Sequence, residues 1–181
     1  VYNDFNSNLT NLYRCVRDKP NRLKYKLRYV LDSREDFDLT SSLHKRGILP
    51  RLYDVDRAAK FYQLIRYSYA SGLDSFGSQP HSMWSDFPMI DLAARRLQKV
   101  VIENKDFEKL IRQYDRPVSF FYCDPPYFAT ESYYKDVGFT AKDHIRLRDA
   151  LLDIKGRFLV SYNDCPETVS YTHLTLPTKR I

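Results

Sequence analysis

The stretch Phe120-Phe121-Tyr122-Cys123-Asp124-Pro125-Pro126-Tyr127 limits most strongly what this chain can become. Four apolar or aromatic residues read as a buried strand. Two prolines then end it, because neither has a backbone N–H to continue a ladder. Asp124-Pro125-Pro126-Tyr127 therefore falls at a strand's C-terminal end, where open α/β sheets place their ligands. The turn offers hydrogen-bond acceptors almost exclusively: the Asp124 carboxylate and the carbonyls. Such a site suits a substrate that brings two N–H donors, as the exocyclic amine of adenine does. Tyr127 adds a flat face for a base. Read blandly, the same residues are a strand, a proline-fixed turn and an exposed tyrosine.

At 181 residues the chain is one domain, or one domain with a small insertion. Its 15 Tyr and 11 Phe exceed what packing alone requires, and its net charge of +6 suits a polyanionic partner. Cys15, Cys123 and Cys165 have no short pairing pattern, which points to a reducing compartment rather than a disulfide framework or a zinc site. None of His44, His81, His144 and His173 has metal-ligand spacing with another. There is no apolar run of membrane-spanning length and no visible signal peptide. The expectation from these residues is a soluble, intracellular chain, without metal and without membrane contact.

Asn6 is a good N-cap, and Leu9, Leu12, Tyr13 and Val16 repeat with helical spacing up to about Lys19. A basic helix follows over 21–31, carrying Arg22, Lys24, Lys26 and Arg28. Residues 32–53 read as polar and irregular apart from a short helix, and 55–69 as a helix. A Ser/Gly/Asp-rich loop runs from 71 to 86. Ile90, Ala93, Ala94 and Leu97 mark another helix, 100–102 a short buried strand, and Asp106 the start of a helix through Tyr114. Thr140 with Asp143 opens a last helix whose face is Leu147, Leu151 and Ile154, with His144 reading as a surface residue. Residues 157–162 form a final strand. Strands alternating with helices from Val100 onward argue for a layered α/β sheet. The divisions expected are a partial core over 1–31, an inserted recognition region over 32–87, a second core part over 88–168, and a tail over 169–181. That tail has no helical or strand period and resembles vector-derived sequence.

Val1-Tyr2-Asn3-Asp4-Phe5-Asn6-Ser7-Asn8-Leu9 resembles the second motif of Dam-like (D12 class) adenine-N6 DNA methyltransferases. Val101 to Phe107 resembles that family's third motif. Asp124-Pro125-Pro126-Tyr127 matches its catalytic motif, and Phe158 to Asp164 is similar to the strand that follows. The resemblance covers most of residues 1–164. It implies a Rossmann-like fold, an α/β sheet with a helical target-recognition insertion, that uses S-adenosylmethionine on double-stranded DNA, in a cytoplasmic monomer of bacterial or phage origin.

On that resemblance Asp124 and the Pro125 carbonyl, with Pro126 and Tyr127, are catalytic. Asp4, Phe5, Asp106, Phe107 and Asp124 contact the cofactor, with Asp4 on its ribose hydroxyls and Phe5 on its adenine. Tyr127, Arg66, Tyr69, Phe128 and Tyr134 contact the substrate, and Tyr133 stands beside them. Asp106 reads equally well as a helix N-cap, Asp4 as a loop residue ahead of the Asn6 cap, and Phe5 and Phe107 as core residues. Cys123, inside a strand, is rejected as a nucleophile. The family's glycine-rich first motif is missing, since all five glycines are isolated. The expectation is that this motif preceded Val1. These 181 residues should then bind S-adenosylmethionine weakly or not at all, and micromolar binding by calorimetry would refute that. The rival readings are an N4-cytosine DNA or RNA adenine methyltransferase, and a basic, non-catalytic DNA-binding fragment.

Overall fold

The structure, a computed structural model, describes residues 1–77, 79–130, 138–164 and 166. Tyr133, Tyr134, Cys165, His173 and the 169–181 tail lie outside the described residues. The chain divides into two compact units, Val1–Asn104 and Lys105–Ile181.

The first unit is a helical layer on one short parallel ladder. Strand β1 (Tyr2–Asn3) pairs in parallel with β2 (Ile102–Glu103), Tyr2 opposite Ile102. Between them run α1 (Ser7–Asp18), α2 (Pro20–Leu27), α3 (Arg34–Lys45), α4 (Asp54–Tyr67) and α5 (Phe87–Leu97). Asn6 caps α1 as expected, its side chain accepting from the Asn8 and Leu9 N–H groups. Two α1 arginines satisfy β2-side carbonyls: Arg14 Nη2 donates to Ile102 O (3.1 Å) and Arg17 Nη1 to Val100 O (2.8 Å). Leu12, Leu23, Leu27, Phe37, Leu49, Phe61 and Leu64 form one buried cluster, so α3 shares its core with α1, α2 and α4.

Three expectations need correction here. Residues 34–45 are a full twelve-residue helix, more than the short helix expected within 32–53. Its buried face is Phe37, Thr40 and Ser41, with the hydroxyls satisfied: Thr40 Oγ1 donates to Gln63 Oε1 (3.2 Å) and Ser41 Oγ to Leu73 O (3.3 Å). The basic helix stops at Leu27, before 31. The strand expected at 100–102 lies at Ile102–Glu103, with Val101 51% exposed.

The second unit contains a parallel β–α–β crossover. Strand β3 (Phe120–Cys123) pairs with β4 (Arg157–Val160) in the register Phe120 to Arg157 and Cys123 to Val160. Helix α6 (Phe107–Tyr114) precedes β3, and α7 (Ala141–Leu152) makes the crossover. Thr140 and Asp143 form the expected capping box on α7. Ile111, Leu147 and Leu151 form the core, with Phe121, Cys123, Phe158 and Val160 packed against it. The strand is therefore half-buried: Phe120 and Tyr122 are 64% and 63% exposed on the opposite face. A run of four apolar residues marks a strand, but it does not say how many of its faces are covered. Among the described residues the strands form two separate two-stranded parallel ladders, not one continuous sheet.

The entry to β4 depends on close approach. Asp115, the residue after α6, accepts from Lys155 N (2.9 Å to Oδ2) and Gly156 N (3.0 Å to Oδ1). A Cβ on Gly156 would lie 2.6 Å from Ser119 O and 3.0 Å from Arg116 O. Both are backbone atoms that cannot swing away. Gly156→Ala is therefore expected to destabilise this unit by about 1–3 kcal/mol, measured by urea unfolding.

Candidate active site

The first strand of each ladder leads directly into an aspartate. In the first unit, β1 leads into Asp4, whose half-buried carboxylate accepts from Asn6 N at 2.7 Å and from the Tyr2 hydroxyl at 3.2 Å. Burial, with Asp4 adjacent, pushes the Tyr2 phenol well above its ordinary value, so it stays a donor. Phe5 follows, 55% exposed, and is not a core residue. Asn104, one residue past β2, donates from Nδ2 to Asp4 O (2.8 Å) and to Phe5 O (3.0 Å), fixing the loop that carries both. Each Asp4 oxygen keeps a further lone pair, so an acceptor-only carboxylate stands next to the exposed Phe5 ring.

In the second unit, β3 delivers Asp124. It is exposed and makes no hydrogen bond or ion pair among the described residues. Pro125 and Pro126 are half-buried and Tyr127 is 41% exposed, its hydroxyl 3.4 Å from Ser161 Oγ. Phe128 is pinned through its backbone: its N–H donates to Asn163 Oδ1 (3.0 Å), and Asn163 Nδ2 donates to its carbonyl (3.2 Å). The Phe128 ring packs against His144, centroids 5.3 Å apart. Contrary to expectation, His144 is 1% exposed, with Nδ1 2.7 Å from the Tyr162 hydroxyl and its ring against Phe139. It occupies the inward face of α7 with Leu147 and Leu151, where spacing rather than residue type decides burial.

Asp106 caps α6: Oδ1 accepts from Glu108 N (3.1 Å) and Lys109 N (3.3 Å). Its Oδ2 takes Arg146 Nη2 at 3.0 Å. Arg146 also binds Asp143 (2.7 Å) and Glu108 (3.0 Å) and lies 4.9 Å over the Phe107 ring. Hydrogen bonds to Asp143 first, then Asp106 and Glu108, hold its guanidinium firmly in the charged form. Of the two readings of Asp106, the cap is the one its side chain fulfils in this structure.

Arg66 is likewise engaged. It binds Asp86 (3.0 Å), on which Tyr62 (2.9 Å) and His81 (2.9 Å) also converge. Residues 67–77 close as a hairpin through the Ser68–Phe76 bridge and Tyr69 N donating to Ser75 O (2.8 Å), and Tyr69 stands 74% exposed at its turn. Ala70, Ser71 and Leu73 all have left-handed backbone (φ 48°, 57° and 64°), a concentration of strain typical of recognition loops. On α2, Lys24 and Lys26 pair with Asp91 (2.6 Å) and Asp56 (2.8 Å), and Arg28 lies 4.9 Å over Trp84.

The sequence reasoning overlooked Asn104, Asn163 and Arg146. For the two asparagines the signal is an amide soon after the second strand, one residue past β2 and three past β4, beside a loop with carbonyls to bind; Arg146 has no such signal.

Burial raises the Cys123 thiol from 9.0 to about 11, in keeping with an inert strand residue. Cys15, 2% exposed, is raised to about 11 for the same reason. The unfolded chain loses these protons first, so their contribution to stability is complete below pH 9 and lost as the pH rises through 11. For Cys15 alone that amounts to up to about 1.4 kcal/mol per pH unit. Urea midpoints should fall across this window and be flat from pH 7 to 8.5. No cluster of metal-ligating side chains occurs among the described residues. No helix there is long and apolar enough to cross a membrane.

The sequence matches the family model of the D12 class N6 adenine-specific DNA methyltransferases over residues 1–176. It is similar to the Type II methyltransferase M1.LlaDCHI of Lactococcus lactis subsp. cremoris, 31% identical over 185 residues. That similarity covers 90% of this chain and 64% of the relative, so the chain spans less than two thirds of the relative's length. A chain that ends one parallel strand in Asp4-Phe5 and another in Asp124-Pro125-Pro126-Tyr127, and that matches this family across nearly its whole length, belongs to the D12 class N6 adenine-specific DNA methyltransferase family.

Proposed function

We propose that this chain carries the catalytic motif of an enzyme that methylates N6 of an adenine turned out of duplex DNA, with S-adenosylmethionine as donor. One observation carries the reading: the exposed Asp124 carboxylate at the end of β3, without a partner among the described residues, followed by two residues without N–H groups and an exposed tyrosine ring. S-adenosylmethionine supplies, when bound, a methyl carbon made electrophilic by its sulfonium. The adenine amine is a poor nucleophile because its lone pair is delocalised into the ring. Asp124 and the Pro125 carbonyl would each accept one amine hydrogen, draw the nitrogen toward tetrahedral geometry and stabilise the positive charge that develops on it. Asp124 need not remove a proton before attack; as the nitrogen–carbon bond forms and the carbon–sulfur bond breaks, the proton that N6 must lose would pass through the exposed Asp124 carboxylate to solvent. Turning the base out of the stack costs a few kcal/mol, roughly, which stacking on Tyr127 offsets.

The remaining roles follow the same chemistry. Asp4 would receive the cofactor's ribose hydroxyls and Phe5 would pack on its adenine, with Phe107 offering its backbone N–H to a ring nitrogen. Tyr69, raised on its hairpin, would meet the DNA, and Phe128 would support Tyr127 from behind. Arg66 shapes the hairpin's base through Asp86. Neutralised lysines on α2 weaken the case for a purely basic, non-catalytic DNA-binding fragment.

The test is mass spectrometry of nucleosides from DNA treated with the full-length enzyme. A rise in N6-methyladenine is expected. A rise in N4-methylcytosine instead, or methylation of RNA only, would overturn the choice of substrate. DNA binding without any methyl transfer would overturn catalysis itself.

A further inference from the structure

We propose that Asn163 is a positioning residue for methyl transfer: by holding the backbone of Phe128 at both its N–H and its C=O, it sets where Tyr127 and the Asp124–Pro125 acceptors stand. This inference rests on the function proposed above and assigns a task to a residue outside the Asp124–Tyr127 motif.

The geometry shows why such a clamp is needed. The backbone ladder between β3 and β4 runs out at Ser161 N, which donates to Cys123 O at 2.9 Å. Beyond that point Pro125 and Pro126 have no N–H to offer, so the loop cannot stay paired to the β4 side through its own prolines. A loop with two consecutive non-donors must be tied by something else. The tie is the Asn163 amide, which meets Phe128 with Oδ1 as acceptor (3.0 Å) and Nδ2 as donor (3.2 Å). This copies one rung of a ladder with a side chain. Three further contacts lock the same residues. The Phe128 ring lies against buried His144, Tyr127 Oη stands 3.4 Å from Ser161 Oγ, and Thr130 N donates to Tyr127 O at 3.0 Å. Ala129, with a left-handed φ of 65°, turns the chain away immediately afterwards. Asn104 ties the loop after β1 in another way, donating from one amide nitrogen to both Asp4 O and Phe5 O. Both loops that carry the functional residues are thus held by an asparagine from the end of the adjacent parallel strand.

Asn163 acts through the Phe128 backbone and is neither of the two proposed acceptors, so its loss should misplace the acceptors rather than remove them. A displacement near 1 Å at a reacting centre costs about a hundredfold in rate. The test uses the full-length enzyme with tritiated S-adenosylmethionine and unmethylated genomic DNA. It is paired with amide hydrogen exchange over residues 124–130 in the absence of DNA and cofactor. For Asn163→Ala, exchange at Phe128 should rise at least about tenfold and kcat should fall about 10- to 100-fold. KM for DNA should change little. Asn163→Asp keeps the acceptor for the Phe128 N–H but sets an anion against its carbonyl. Its kcat relative to wild type should recover as the pH falls and the carboxyl gains a proton to donate.

Unchanged exchange with unchanged kcat in Asn163→Ala would overturn the proposal. So would a parallel loss of kcat, DNA affinity and melting temperature in both variants with no pH-dependent recovery, the signature of a merely structural residue. A wild-type enzyme that transfers no methyl group would sink the functional reading itself, and the positioning role with it. The exchange arm would still report whether the clamp holds the loop.

Discussion

Asp124→Ala should lower methyl transfer by the full-length enzyme by about a hundred- to a thousandfold, the usual cost of removing one preorganised group that stabilises developing charge. The structure leaves little else for this side chain to do. Asp124 is exposed and unpaired among the described residues, so its removal opens no cavity and orphans no donor. Folding should therefore be unaffected, and DNA affinity should hold or rise slightly, because phosphate contacts set it and an anion has been removed. The loss should fall on kcat. Asp124→Asn retains one acceptor oxygen without the charge and should lie between the two. A variant that keeps wild-type kcat would show that the charge on the amine is stabilised elsewhere.

The second large effect concerns the helical unit. Phe37→Ala should cost about 3–5 kcal/mol in urea unfolding, as expected for a buried aromatic whose site cannot collapse. Phe37 is fully buried on α3 and meets Phe76 of the 67–77 hairpin edge-on, at 5.5 Å between centroids. The cluster it belongs to also takes residues from α1, α2 and α4, so the loss should appear as one cooperative transition of the whole unit. Trp84, the single tryptophan, lies in this unit and reports the transition by fluorescence. A cost below about 1 kcal/mol would mean that α3 is peripheral to this core.

Much of this architecture could be read from residue types, and the failures have identifiable causes. Asn6, Asp106 and the Thr140–Asp143 pair stood out because caps are local chemistry, and all three cap the helices they were expected to cap. Helix α3 reads as no more than a short helix because its inward face is Phe37, Thr40 and Ser41: two of the three are polar and satisfied only by partners 23 and 32 residues away. Its ends carried clearer signals: Ser33 as N-cap, Glu35 and Asp36 in the first turn, and Gly47 with a φ of 65° just beyond. His144 was misplaced for the opposite reason, since a titratable residue type outweighed a spacing that put it in line with Leu147 and Leu151. The Asp-Pro-Pro-Tyr turn was legible because prolines restrict the backbone independently of context. What holds that turn was not, because Asn163 lies 35 residues further along the chain and only a parallel crossover brings the two together.

The most direct test is a structure of the full-length enzyme with a cognate duplex and the demethylated cofactor. The expected result is an extruded adenine stacked on Tyr127, with N6 about 2.7–3.2 Å from both an Asp124 carboxylate oxygen and the Pro125 carbonyl. An amine held by other groups, with Asp124 still turned to solvent, would contradict the proposed chemistry.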